Sequence, residues 1–182
     1  MSRIVIPAAD QVPAASRPVL DSVNKHLGVV PNLMKVLGNS PAALSGYWSL
    51  GGALGKGRLG ARTGERIALA VAEFNDCSYC LAAHTYLGKN VAKLDDAEIA
   101  ANRNGTSTDP IAAAAVRFAV KVAQTRGHVS DADVVAVKHA GYSDGDVMEI
   151  VAHVALNILT NYVNLVAQTQ IDFPAVASRR AA

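Results

Sequence analysis

Gly64-Glu65-Arg66-Ile67-Ala68-Leu69-Ala70-Val71-Ala72-Glu73-Phe74-Asn75-Asp76-Cys77-Ser78-Tyr79-Cys80-Leu81-Ala82-Ala83-His84 joins two helical segments at a pair of cysteines. The first half, to Phe74, is apolar on nearly every side of a helix, and such a helix is buried rather than resting on a surface. Asn75 and Asp76 are both good N-caps for a following helix, which would place Cys77 in its first turn. Free backbone N–H groups and the helix dipole there stabilise a thiolate.

Cys77, Cys80 and His84 fall at i, i+3 and i+7, on one helix face, with Cys80 and His84 one turn apart. A thiolate beside a donating or positive group is the reactive form of cysteine. Two thiols separated by two residues can also close a disulfide, so the pair can store two electrons. Asp76 opposes this by raising the thiol pKa, unless its carboxylate is occupied in capping. Other readings of the three residues stay open. They could be plain core packing, since free cysteine is among the most buried residue types. A closed zinc site needs four ligands, and the chain has no second cysteine pair. A thioredoxin fold would need strands around the motif.

Outward from this stretch the chain also reads as helix. Alanine and valine dominate, and apolar residues recur at three- and four-residue spacing. Helices are predicted over 13–26, 31–38, 41–55, 63–75, 77–92, 95–103, 110–126, 131–140 and 144–169. Asp109 before Pro110 has the form of an N-cap with proline at the first helical position. Ser130 precedes acids in a first turn, and Gly88, Gly127 and Gly141 are placed as C-terminal glycines. Six glycines between Gly51 and Gly64 lack the Gly-Lys-Ser/Thr ending of a phosphate loop and suggest a flexible turn. In the final helix His153, Asn157, Asn161 and Asn164 form a polar stripe. It could be a solvent-facing edge, or a buried network or oligomer seam.

The chain has 182 residues, the length of one domain. With 51% hydrophobic and 18% charged residues it has the composition of a folded core, not of disorder. A net charge of +2, with scattered lysines and arginines, excludes a strong nucleic-acid footprint. Arg179-Arg180 is expected in a frayed tail. Met1 to Pro7 lacks the apolar stretch of a secretory signal. Runs such as Ile111 to Val116 fall short of the ~20 residues that cross a bilayer. A cytoplasmic chain without nucleic-acid or membrane partners is therefore expected. In a reducing compartment a lone cysteine pair points to catalysis or metal binding rather than a structural staple.

Glu65, eleven residues, Cys77, two residues, Cys80, three residues and His84 together resemble the signature of the alkylhydroperoxidase D (AhpD)-like branch of the carboxymuconolactone decarboxylase family. Gly64-Glu65-Arg66 and Cys80-Leu81-Ala82-Ala83-His84-Thr85 fit it too. Val30-Pro31-Asn32-Leu33 and Leu159-Thr160-Asn161-Tyr162-Val163-Asn164 resemble a peroxidase-related subgroup, so the likeness spans nearly the whole chain. It implies an all-α, AhpD-like helical bundle with the CxxC motif at the start of a central helix. Residues 1–182 would be one domain, with 1–40 a helical extension packed on the core.

The implied activity is that of a thiol-dependent peroxidase cycling a Cys77/Cys80 dithiol and disulfide. Cys80 would be the peroxidatic thiol and Cys77 the resolving one, with His84 and Glu65 in a proton relay that activates Cys80. No cofactor or metal is implied. The expected partners are a peroxide substrate, a dithiol reductant such as a lipoyl group, and further copies of the chain in a homotrimer or homohexamer. The residue chemistry agrees, since a carboxylate in an apolar helix has a raised pKa and can take a proton near neutral pH. Glu73 is nearer the cysteines but does not match the motif position. Tyr79 stands where the family's peroxidases carry histidine, and tyrosine is a poor proton acceptor near neutral pH. The decarboxylase branch lacks the cysteine pair, which argues against decarboxylation. The contrasting reading is a non-enzymatic helical oligomer that uses the motif for metal binding or redox sensing.

Overall fold

The computed structural model describes residues 2–179. Among these, nine α-helices follow a short 3-10 turn, with no strand: α1 (Arg17–Leu27), α2 (Asn32–Leu37), α3 (Pro41–Leu54), α4 (Gly60–Phe74), α5 (Ser78–Asn90), α6 (Asp96–Arg103), α7 (Pro110–Thr125), α8 (Asp131–His139) and α9 (Asp144–Ala167). The all-helical expectation holds, and each predicted helix has its counterpart.

α4 is the hub, packed against α5, α6, α7 and α9. Ile67 and Val71 join a core with Ala115, Phe118 and Ala119 of α7 and Ile150 and Val154 of α9. Leu69 faces another way, onto Ala92, Leu94 and Ile99. A helix enclosed on several sides must be apolar on several sides, which is what the sequence showed. Burying each of the Val, Leu, Ile and Phe side chains among these stabilises the fold by about 1.5–3 kcal/mol. The N-terminal segment packs through Val23, Met34, Leu37 and Leu44, with Trp48 and Val163 against them.

The predicted caps at Asp109 and Ser130 form. Asp109 accepts from Ile111 and Ala112 N–H, and Ser130 and Asp133 make a reciprocal capping box. Gly88 is no C-terminal glycine. It lies inside α5, where a Cβ would sit 3.5 Å from Leu94 and 3.8 Å from Leu69, so its role is close packing. The glycine cluster is not one flexible turn either. Gly51 and Gly52 belong to α3 and Gly64 to α4. The turn between these helices is fastened by Glu149, which accepts from Arg58 N–H at 2.8 Å and Leu59 N–H at 3.2 Å. Nor is Arg179 frayed. Its N–H donates to Glu73 at 2.8 Å, because that buried carboxylate needs donors; Arg180 lies outside the described residues.

α9 is built the other way round from α4. Its polar stripe faces inward: His153, Asn157, Asn161 and Asn164 are all buried. Met148, Leu159, Tyr162, Leu165 and Val166 are exposed on the other side. The solvent-edge reading of the stripe is thereby overturned. α9 is also long and apolar enough to cross a membrane by length and composition, with 44% of that window buried within the fold.

Candidate active site

The turn between α4 and α5 sets the cysteines. Asn75 caps α4, and Asp76 adopts a left-handed φ of 57°. Asp76 N–H then bonds Glu73 C=O, and Cys77 N–H reaches back to Ala72 C=O at 3.0 Å. These two bonds are the 5→2 and 6→1 pair that closes a helix C-terminus. Asp76 is therefore a helix terminator and not the N-cap of the next helix, and Cys77 is not in a first turn. Cys77 is itself the N-cap of α5, its sulfur accepting from Cys80 N–H at 3.3 Å. Physically, the helix-end role of Asp76 leaves only Cys77 free to cap α5.

Cys77 and Cys80 form a disulfide, with Cα atoms 5.3 Å apart. Both are buried, in a cluster with Ala72, Tyr79, Leu81 and Ala83 that Leu33, Phe173 and Val176 cover. One turn further, His84 Nδ1 lies 2.9 Å from Glu65 Oε2, and both side chains keep about a fifth of their surface exposed. Cys80, His84 and Glu65 line one cavity of about 610 Å³, so the fold brings these three predicted residues together. Cys77 does not line it. The remaining walls are largely apolar and aromatic, including Leu33, Met34, Tyr47, Trp48 and Phe173.

Tyr79 is spent elsewhere. Its hydroxyl accepts from Leu33 N–H at 3.1 Å, and its ring meets Phe173 edge-on at 5.8 Å. Burial pushes its phenol far above the usual range, with Asp172 adding to the rise, so it stays protonated. Tyr79 thus ties the N- and C-terminal segments across the cysteine pair.

Glu73, the competing acid, is a structural group. Arg103 holds it at 2.5 Å and Arg179 N–H at 2.8 Å.

Three cavity residues escaped the sequence reading as site residues. Asn164 Nδ2 donates to Cys80 Sγ at 3.3 Å from across the cavity. His153 also lines the cavity. Burial lowers its pKa, with Glu149 and Glu65 opposing, and its Nε2 has no hydrogen-bond partner. Burial likewise raises the Tyr47 phenol to about 12, with the Glu65 charge assisting. The stripe on α9 was the signal for Asn164 and His153; nothing in the sequence marks Tyr47.

Comparison with known proteins places this arrangement. Residues 41–125 match the carboxymuconolactone decarboxylase family. No curated protein sequence matches significantly. Among solved structures, the alkylhydroperoxidase AhpD core of Ralstonia eutropha JMP134, an uncharacterized peroxidase-related protein, superposes with a TM-score of 0.84. It is 26% identical, and the match covers 94% of this chain and 92% of that one. A peroxidase-related protein of Silicibacter sp. TM1040 gives a TM-score of 0.81 at 22% identity, covering 93% and 91%. The debrominase Bmp8, whose C82A variant was solved with 2,3,4-tribromopyrrole, gives 0.77 at 19% identity, covering 98% and 94%. The last two likenesses are ones of fold.

Proposed function

Starting from a chain whose residues 41–125 match the carboxymuconolactone decarboxylase family, we propose that it is a thiol-dependent peroxidase cycling Cys77 and Cys80. The observation that carries this reading is one cavity holding Cys80 together with the Glu65–His84 pair, beside an already formed Cys77–Cys80 disulfide.

In the reduced protein, Nδ1–H of His84 donates to Glu65, leaving Nε2 to draw the proton from the Cys80 thiol. The Cys80 thiolate attacks the terminal oxygen of a hydroperoxide. The O–O bond breaks, an alkoxide leaves and takes up a proton, and Cys80 becomes a sulfenic acid. Cys77 then displaces water to close the disulfide, and a dithiol returns the two electrons. Asn164 supports the thiolate through its donated hydrogen bond. A dithiol such as a lipoyl group as donor, a cytoplasmic setting and one domain with 1–40 as its extension belong to the same proposal. So does a homotrimer or homohexamer, which the exposed apolar side of α9 supports. The debrominase's chemistry is not carried over.

The two single-cysteine variants test the reading. Cys77→Ser should consume one equivalent of hydroperoxide and leave a sulfenic acid that dimedone traps at Cys80. Cys80→Ser should consume essentially none at a comparable rate, and both should lose multiple turnover. Equal trapping at Cys77 in Cys80→Ser would reverse the two roles. No peroxide consumption by the reduced parent protein would end the peroxidase reading.

A further inference from the structure

The two cysteines of the disulfide, both buried, line different spaces. The 610 Å³ cavity is lined by Cys80 and not Cys77. A second pocket, of about 220 Å³, is lined by Cys77 and not Cys80, together with Asp76, Ser78, Gln168, Thr169 and Ile171. Tyr79 and Asn164 line both and form the partition between them. We propose that a small dithiol reductant binds in this second pocket and attacks Cys77, on the side of the disulfide opposite the substrate cavity. The inference rests on the redox cycle proposed above.

The lining of the small pocket is unsatisfied. Thr169 Oγ1 and Asn164 Oδ1 are buried there without a hydrogen-bond partner, in residues only 7% and 4% exposed. Such a group costs about 1–3 kcal/mol when left unpaired. A ligand that presents a donor to Asn164 and a donor or acceptor to Thr169 would relieve both. The space admits the head of a small dithiol. Asp76, exposed at this pocket, adds a negative charge that disfavours reductants carrying carboxylate groups relative to dithiols with uncharged bodies.

Each sulfur has a hydrogen-bond donor for the step in which it leaves. A reductant thiolate bonds to Cys77 Sγ, the Cys77–Cys80 bond breaks, and its electron pair leaves on Cys80. Thiols that are better stabilised as anions leave faster. Asn164 Nδ2, at 3.3 Å, stabilises Cys80 as it leaves. The second thiol of the reductant then displaces Cys77, whose sulfur is stabilised by Cys80 N–H, also at 3.3 Å. The reductant departs as its own disulfide and the protein holds both thiols, one proton having come with each electron. Cys80 emerges facing the substrate cavity, ready for the next hydroperoxide.

The test separates the two half-reactions. Oxidised protein is mixed rapidly with excess 2-mercaptoethanol and quenched in acid, and the mixed disulfide is located by peptide mass. The adduct is expected on Cys77; an adduct on Cys80 overturns the proposal. In parallel, Ser78→Trp fills the small pocket and Gly51→Phe intrudes on the large cavity. Ser78→Trp should slow reduction by dithiothreitol by about tenfold or more while oxidation by cumene hydroperoxide stays within about twofold, and Gly51→Phe should do the reverse. Reduction slowed by Gly51→Phe and untouched by Ser78→Trp likewise overturns it. Failure of the reduced parent to consume cumene hydroperoxide would break the peroxidase reading instead, while the adduct position would still decide which sulfur the thiol attacks.

Discussion

Glu65 and Glu98 are two carboxylates held by contacts around the start of α4, and the fold treats them oppositely. Glu98 is 2% exposed and is surrounded by donors. Arg66 Nε lies at 2.7 Å, Asn102 Nδ2 at 2.9 Å, Ser107 Oγ at 2.5 Å and Thr108 N–H at 2.7 Å, and the Thr108 hydroxyl also donates. Burial alone would raise its pKa, but these hydrogen bonds outweigh it and bring the value down to about 2. Glu65 has His84 as its hydrogen-bonded partner and keeps about a fifth of its side chain open to the cavity. Adjacent residues on one helix diverge by about 100°, so Glu65 and Arg66 serve different sites. A carboxylate whose lone pairs are all taken is a fixed strut. One that shares a single proton-bearing partner and faces a cavity can take part in moving a proton.

The strongest way to break this contrast is Glu65→Gln. It should slow oxidation of the reduced protein by hydroperoxide by about 10²–10⁴, the usual worth of general acid–base assistance. The thermal midpoint should move by no more than about 2 °C. Stopped-flow thiol oxidation alongside calorimetry measures both, and unchanged kinetics with lowered stability would make Glu65 a strut like Glu98.

Glu98→Gln should give the opposite pattern. It leaves the Arg66 guanidinium, whose side chain is 9% exposed, with Asp109 at 4.0 Å as its remaining carboxylate partner, and breaking a buried pair this way costs about 3–5 kcal/mol. Turnover per folded molecule should stay within about twofold of the parent. The pH dependence comes from the same group. Its folded-state pKa is depressed, so its stabilisation is complete above the unfolded value of about 4.3 and is lost as pH falls through about 2. The loss amounts to about 3 kcal/mol across that window. Denaturant titrations should show it in the parent and not in Glu98→Gln; equal acid sensitivity in both would detach the effect from Glu98.

The smallest effect on either carboxylate should come from Tyr162→Glu, on the outward side of α9 where Tyr162 is 55% exposed. This variant should shift the mass by light scattering toward smaller species and leave both half-reactions unchanged. A parent protein that is monomeric at micromolar concentration would remove the oligomer from the proposal.

The sequence by itself determined the helical class, the positions of all nine α-helices and the spacing of Cys77, Cys80 and His84, whereas Glu65 joined them only through the family resemblance. Those features are written in local chemistry: 3.6-residue periodicity, caps such as Asp109 and Ser130, and side chains one turn apart. Tertiary structure decided what local chemistry leaves degenerate. Asp76 could as well have begun a helix as ended one, and only the return of Cys77 N–H to Ala72 settled it. The α9 stripe has the same spacing whether it faces water or protein. It turned inward because α9 closes one wall of the cavity, setting Asn164 against Cys80 some eighty residues away in sequence. Which cysteine lines which pocket depends on segments distant in sequence meeting at the disulfide, and no local pattern encodes that.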